Sequence, residues 1–283
     1  MSEKVTGSEA LMRSLESEGV TTLFGYPGGA IMPVYDALYD HRDTLNHVLV
    51  RHEQGAVHAA QGYARVSGKV GCVVATSGPG AMNTITGIAD AMIDSTPIVV
   101  ICGQVGAALL GTDAFQEVDV IGVTQPITKW AYQIRRPEDV AWAVSRAFYI
   151  AKSGRPGPVV LDFTKNAQTA EVEYEPAKVD FIRSYVPVPE LDDYTIKQAA
   201  DMINASEKPF VLVGQGVELG DACQELKTLL EKAQIPAGCT LLGLSALPSD
   251  HPLNMGMLGM HGNLAAHILQ QLRIYGGRRS QNQ

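Results

Sequence analysis

The chain has 283 residues, of which 46% are hydrophobic and 18% charged, and its formal net charge is −8. This composition is typical of a folded protein with room for more than one domain, and it argues against intrinsic disorder. The acidic balance disfavours nucleic acid and anionic membranes as partners, and a polar start with no apolar run of membrane-spanning length predicts a cytoplasmic protein.

The first 168 residues alternate helical patterns with short apolar runs. Thr6 and Glu9 form a capping-box pattern that opens the first helix, and Gly19 provides its end. Five apolar runs follow, each bounded by turn residues: TTLFG, NHVLV, GCVVAT, PIVVICG and GPVVLDF. This alternation predicts an α/β domain over residues 1–168, built on a parallel sheet.

Glu53 lies between the apolar run HVLVRH and the helical pattern EQGAVHAAQGYARVSG. It is therefore expected at the carboxyl end of a parallel strand, where ligands bind in open α/β sheets. A lone Glu in a first helical turn also has a simpler explanation, because it complements the helix dipole. A zinc helix is excluded, since HExxH requires a second His where Ala56 stands. The sequence assigns no metal ligand.

Two glycine-rich turns are predicted on the same edge of the sheet as Glu53. The segment TSGPGAMN places Gly78, Pro79 and Gly80 between a strand and a helix, without the lysine of a phosphate-binding Walker motif, and LFGYPGGA offers a similar turn at 25–29. Bare backbone amides in such turns approach ligands closely, although each turn alone is equally explained as a tight connection. Three features on one edge indicate a site.

Three further groups of residues leave alternatives open. Phe115 and Gln116 fall in the predicted loop GTDAFQEVD, where an aromatic ring and an amide either meet a small substrate or merely pack. Arg155 precedes a strand, and its side chain either forms an ion pair with a phosphate or is simply solvated. Gly214 and Gly216 form an incomplete dinucleotide fingerprint, because the third glycine is displaced.

Residues 169–193 show neither helical nor strand periodicity and are rich in Glu, Pro and Asp, as is typical of a linker. A second α/β unit is predicted over 194–266, opening with a helix at 194–205 and the strand PFVLVG. Residues 267–283 are expected to form an atypical tail that leaves this second unit incomplete. Four cysteines form no CxxC pair and are expected to be buried thiols: Cys72, Cys102, Cys223 and Cys239.

The chain resembles the amino-terminal part of the acetolactate synthase large, catalytic subunit, within the thiamine diphosphate (thiamine pyrophosphate) enzymes. Five ordered segments carry the resemblance: YPGGAIMPVYDAL, VRHEQGAVHAAQGYAR, TSGPGAMNTITGIADAMIDSTPIVVICGQV, GTDAFQEVD and GRPGPVVLDF. It runs from Val5 to about His261 and implies a three-layer parallel-sheet pyrimidine-binding domain followed by an incomplete Rossmann-like α/β central domain of FAD-binding type.

The resemblance implies that Glu53 hydrogen-bonds the aminopyrimidine ring of the cofactor, and that Phe115 and Gln116 lie beside the reacting 2-oxo acid. The residues implied around thiamine diphosphate are Glu53, Tyr26, Pro27, Gly28, Gly29, Ser77, Gly78, Pro79, Gly80 and Asn83. The residues implied around a structural FAD are Arg155, Gly214, Gln215, Gly216, Thr240, Leu241, Met260 and His261.

The implied activity is that of a transferase in the biosynthesis of branched-chain amino acids. Pyruvate is decarboxylated and condensed with a second pyruvate or with 2-ketobutyrate. The family also implies Mg²⁺, a homo-oligomer and a regulatory small subunit.

The sequence departs from the family pattern in several places. Gly106 and Ala107 stand where Pro and Thr or Ser are expected, and Thr164 stands where Pro is common. The Gly-Asp-Gly motif that begins the family's Mg²⁺ and diphosphate site is absent. We therefore expect negligible activity from this chain alone.

Two alternatives to an acetolactate synthase remain open. The chain is either a catalytically silent partner of full-length subunits or a sister carboligase or oxidase acting on another 2-oxo acid.

Overall fold

The computed structural model describes residues 3–276, and its internal packing divides the chain into two units at Pro189 and Glu190. The last part of the predicted tail, 277–283, lies outside the described residues. Within 3–276, no helix combines the length and the apolar character that a membrane span requires.

The first unit contains eight strands and eight α-helices in the described part of the chain. The strands are β1 (Glu3–Thr6), β2 (Thr22–Gly25), β3 (Asn46–Leu49), β4 (Gly71–Ala75), β5 (Ile98–Gln104), β6 (Trp130–Ile134), β7 (Pro158–Thr164) and β8 (Glu171–Tyr174). The helices are α1 (Gly7–Ser17), α2 (Met32–Asp40), α3 (Glu53–Ser67), α4 (Pro79–Asn83), α5 (Ile85–Ile93), α6 (Val120–Thr124), α7 (Val140–Lys152) and α8 (Lys165–Thr169).

Six of these strands form one parallel sheet in the order β3-β2-β4-β5-β7-β6. The central strands β4, β5 and β7 are buried along their whole length. Successive side chains of β5 alternate between two hydrophobic clusters, since Val99 and Ile101 join one and Val100 and Cys102 join the other. The sheet is thus packed on both faces, which confirms the predicted three-layer α/β class.

The first helix forms where the capping pattern predicts it. Thr6 is the N-cap of α1, and its Oγ1 accepts a hydrogen bond from Glu9 N at 3.2 Å. Leu11 and Leu15 point from this helix into the core and are fully buried. Burial of side chains of this size stabilises the fold by about 1.5–3 kcal/mol each.

Strand β8 lies within the stretch 169–193 that we expected to be a linker. It pairs antiparallel with β1, from Glu3 opposite Tyr174 to Thr6 opposite Glu171. The two strands form a separate two-stranded sheet in the first unit. The domain boundaries at 168, 193 and 266 stay predictions.

The second unit is a three-stranded parallel sheet with flanking helices. Its strands are β9 (Val211–Val213), β10 (Ala237–Cys239) and β11 (Asn254–Met257), in the order β11-β10-β9. Its helices are α9 (Asp193–Ala205), α10 (Gly216–Leu219), α11 (Cys223–Ala233) and α12 (Leu264–Gly276). A small core forms around Val213, Leu230 and Cys239.

Candidate functional site

The predicted site segments of the first unit follow four strands that are neighbours in the sheet. Glu53 comes after β3, the 25–29 turn ends β2, the SGPG turn (77–80) follows β4, and residues 105–118 follow β5. Because the strands are parallel, their carboxyl ends meet at one edge. The structure thereby brings all four segments to the edge where ligands bind in such sheets.

Glu53 is the first residue of α3, and only 6% of its surface is exposed. Its Oε2 accepts a hydrogen bond from Asn83 Nδ2 at 2.9 Å. His52 precedes it as the N-cap, with its ring accepting from Gln54 N. A buried carboxylate requires polar partners, so Asn83, at the end of α4, helps to hold Glu53 in place.

Thr76 fills the space between the two glycine-rich turns. A Cβ placed on Gly28 would lie 2.5 Å from Thr76 Cβ, and one placed on Gly80 would lie 2.7 Å from Thr76 Cγ2 and 3.1 Å from Glu53 Oε1. Side chains are therefore excluded at both positions. Thr76 Oγ1 also accepts a hydrogen bond from Ala30 N at 3.3 Å, which ties the two turns together. Sequence reasoning missed this residue.

Tyr26 and Ser77 occupy different environments on the same edge. Tyr26 N donates a hydrogen bond to Val74 O at 3.2 Å. The Tyr26 residue is 41% exposed, and its neighbours Pro27 and Gly29 are exposed as well. Ser77 is buried, and its carbonyl accepts from Gly80 N at 3.2 Å. The exposed ring of Tyr26 is thus available to a ligand.

Tyr35 and His47 form a pair beside Gly25, at the start of the 25–29 turn. Tyr35 Oη lies 3.2 Å from His47 Nε2, and a Cβ on Gly25 would approach Tyr35 Oη to 2.6 Å. Burial, followed by the negative charge of Glu53, raises the pKa of Tyr35, while burial lowers the pKa of His47. No local sequence signal reveals the pair, because its members are twelve residues apart on different elements.

The residues expected beside the substrate lie in the 105–118 loop. Phe115 is 88% exposed. Gln116 has a φ of +59°, and its carbonyl oxygen would be 2.6 Å from a Cβ on Gly78, whose own φ is +55°. Only glycine accommodates this approach. The backbone of Gln116 therefore rests directly on the SGPG turn.

The candidates for FAD in the second unit lie at the carboxyl edge of its sheet. Gly214, Gln215 and Gly216 follow β9, and Thr240 and Leu241 follow β10. Thr240 N donates to Val213 O at 2.8 Å, which links these two segments. The remaining two candidates come after β11 and are both exposed: Met260 and His261.

Arg155 belongs to the first unit. Its Nε donates to Ser95 Oγ at 2.7 Å, and Nη2 donates to Ile93 O at 3.0 Å.

Three of the four cysteines are buried and free, while Cys223 is half-buried and free. Burial raises the pKa of the Cys72 thiol to about 12. Among residues 3–276, no group of three or more His, Cys, Asp or Glu side chains is arranged to hold a metal ion.

Two protein families match separate parts of the chain. Residues 5–123 match "Thiamine pyrophosphate enzyme, N-terminal TPP binding domain", and residues 196–271 match "Thiamine pyrophosphate enzyme, central domain". The first match includes Glu53, both glycine-rich turns and the 105–118 loop.

Several curated proteins are similar to nearly the whole chain. The probable acetolactate synthase large subunit of Methanocaldococcus jannaschii is 50% identical over 92% of this chain and 44% of its own length. The acetolactate synthase large subunit of Corynebacterium glutamicum is 49% identical over 93% and 42%, and the isozyme 2 large subunit of Escherichia coli is 47% identical over 94% and 48%. The chain thus spans less than half the length of these relatives.

Proposed function

The chain belongs to the thiamine pyrophosphate enzymes, and from that premise we propose that its first unit binds the aminopyrimidine half of thiamine diphosphate as part of an acetolactate synthase. One observation carries the proposal. Glu53 is a buried carboxylate at the ligand-binding edge of the sheet, and Gly80 of the SGPG turn lies directly beside it. A flat ring with nitrogen donors and acceptors suits a fixed carboxylate beside a glycine-rich turn.

We assign to Glu53 the hydrogen bond to the ring. Asn83 fixes one carboxylate oxygen, Oε2, and the other, Oε1, lies beside Gly80. A carboxylate held in this way exchanges a proton with a ring nitrogen at Oε1. When bound, thiamine diphosphate supplies a carbon nucleophile for a 2-oxo acid and takes up the electrons that remain when carbon dioxide leaves.

The substrates proposed for the whole enzyme are pyruvate and 2-ketobutyrate, because the similar proteins are named acetolactate synthases. We further propose that a regulatory small subunit and a second catalytic chain are its partners. Ligands for Mg²⁺ and the diphosphate would come from outside residues 3–276. FAD would bind at the carboxyl edge of the second unit, and a change in flavin fluorescence on titration with the protein would test this.

The cofactor proposal is tested by saturation-transfer-difference NMR with the purified protein, thiamine diphosphate and Mg²⁺, because this method detects weak complexes. Transfer should be strongest to the ring proton and methyl group of the pyrimidine. Glu53→Ala should reduce that transfer roughly tenfold, as expected for the loss of one charge-assisted hydrogen bond.

Glu138→Gln is the matched control, because Glu138 is an exposed carboxylate in a short turn before α7. Its spectra should equal those of the wild type. Transfer that is unchanged in Glu53→Ala, or that is concentrated on the diphosphate side of the thiazolium ring, would contradict the proposal.

A further inference from the structure

The 105–118 loop is folded around one of the carboxylates at its own end. The side chain of Glu117 accepts hydrogen bonds from the backbone N–H groups of Gly111, Thr112 and Ala114, the last two at 3.2 Å. These bonds, first of all the one from Gly111, lower the pKa of Glu117. Successive amides that converge on one anion are a recognised way to shape a loop.

The ends of the same loop are joined by a buried amide. Gln104 Oε1 accepts from Val105 N at 2.9 Å, and Gln104 Nε2 donates to Val118 O at 2.9 Å. Nε2 also donates to Asp162 Oδ2 at 3.2 Å, and Gln133 Nε2 donates to the same oxygen at 2.7 Å. Because Gln104 and Asp162 are fully buried, the base of the loop is fixed to the sheet.

Gln116, near the carboxyl end of the loop, contacts the SGPG turn at the ligand-binding edge of the sheet. Its backbone has a left-handed φ of +59° and packs on Gly78, so a change in that conformation moves the contact. Glu117 is the next residue, and Glu117 N donates to Ala114 O at 2.9 Å. The same residue therefore closes the turn by its backbone and by its side chain.

We propose that Glu117 is a positioning residue, whose carboxylate shapes the 105–118 loop and so holds Phe115 and Gln116 where they meet the 2-oxo acid. This inference rests on the proposed function. It assigns no contact between Glu117 and substrate. The three amides that it binds belong to exposed or half-exposed residues, so water replaces the carboxylate when it is removed and the chain still folds.

The loop geometry is tested by hydrogen exchange with mass spectrometry on the purified protein without cofactor. In Glu117→Gln, amide exchange in the peptide that covers 111–116 should rise by about tenfold, as expected when local opening becomes easier. Glu117→Asp keeps the charge and should recover part of the protection. Glu138→Gln should match the wild type. Unchanged exchange in Glu117→Gln would overturn the inference.

The link to substrate is tested by saturation transfer to pyruvate and to thiamine diphosphate in one sample with Mg²⁺. We expect Glu117→Gln to lose roughly two thirds or more of the transfer to the pyruvate methyl group while transfer to the pyrimidine is retained. Equal transfer to pyruvate in wild type and variant, or no such transfer in either, would overturn the inference. A wild type without pyrimidine transfer would instead defeat the proposed function, while the exchange experiment still tests the loop.

Discussion

His41 joins two glutamates of the first helix. Its Nδ1 lies 2.9 Å from Glu16 Oε1 and its Nε2 lies 3.0 Å from Glu9 Oε2, while Arg13 bonds Glu9 from the other side. Burial opposes the charged form of each group, but the hydrogen bonds outweigh it. They raise the pKa of His41 and lower the pKa of Glu9 and Glu16.

These pKa shifts fix the pH range in which the His41 cluster stabilises the protein. The His41 contribution is complete below its ordinary pKa of 6.5 and is lost as pH rises through the folded value. The contribution of Glu9 and Glu16 is present above 4.5 and is lost as pH falls. The cluster is therefore most stabilising between these two values.

We expect His41→Gln to lower the free energy of unfolding by roughly 0.5–2 kcal/mol, because it removes two half-buried pairs. The accompanying fall in melting temperature should be largest between pH 4.5 and 6.5. Differential scanning fluorimetry across pH would measure this difference between variant and wild type. The exposed His261 provides the control His261→Gln, which removes a histidine but none of the contacts of the His41 cluster and should leave the melting temperature unchanged. A difference that grows above pH 7 would refute the assignment.

The sequence predicts the site residues whose role depends on their own position in the chain, and it misses those whose role depends on a distant partner. Glu53 and Gly78 are signalled by the strand before each and the helix after it. Thr76 is not, because its place between two glycines arises only when β2 and β4 become neighbours. Asp162 and Gln104 are likewise 58 residues apart and meet only in the folded sheet.

The contact between α3 and α5 depends on a small residue. A Cβ on Gly87 of α5 would lie 2.6 Å from Val57 Cβ, and Val57 is fully buried in α3. Gln61 of α3 also donates to Gly87 O at 3.1 Å. The two helices therefore approach each other at this point with no room for a methyl group.

Gly87→Ala should destabilise the protein by about 1–3 kcal/mol, because overpacking forces buried Val57 to move. Gly62→Ala is a matched control in α3, where nothing lies within 4 Å of the added atom. That variant should stabilise the helix by roughly 0.5–1 kcal/mol. Urea denaturation would measure both values, and equal effects of the two substitutions would disprove the packing argument.

Among the elements, sequence patterns identified the strands that are buried or follow a clear helix. The predicted runs correspond to β2, β3, β4, β5 and β7. Both β3 and β6 are edge strands, but β3 follows the nine-residue helix α2, whereas only the five-residue helix α6 and a short turn precede β6. Strand β6 was therefore missed, and its residues Trp130 and Tyr132 are only half-buried. Strand β8 was missed because its stretch is acidic and its partner, β1, lies at the opposite end of the unit's sequence.

The two units differ in the amount of apolar surface that they bury. The described residues of the first unit form two large hydrophobic clusters, one on each face of its sheet, whereas those of the second form one small cluster around Leu230. Since stability derives mainly from burial, we expect the first unit to be the more stable of the two.

Differential scanning calorimetry should therefore show two transitions, with the second unit unfolding at the lower temperature. A protein that ends at Pro189 serves as the matched control, and its single transition should coincide with the upper one. Limited proteolysis of the full chain should leave a resistant fragment that ends within roughly ten residues of Pro189. A single cooperative transition of the full chain would contradict this expectation.

The pairing of β1 with β8 also determines how the first unit responds to a pulling force. Glu3, at the start of β1, is opposite Tyr174, at the end of β8, so both strands leave this small ribbon at the same end. Tension applied at Glu3 and Tyr174 therefore loads the residue pairs of this ribbon one at a time. The ribbon then opens like a zipper, from the Glu3–Tyr174 pair towards the Thr6–Glu171 pair.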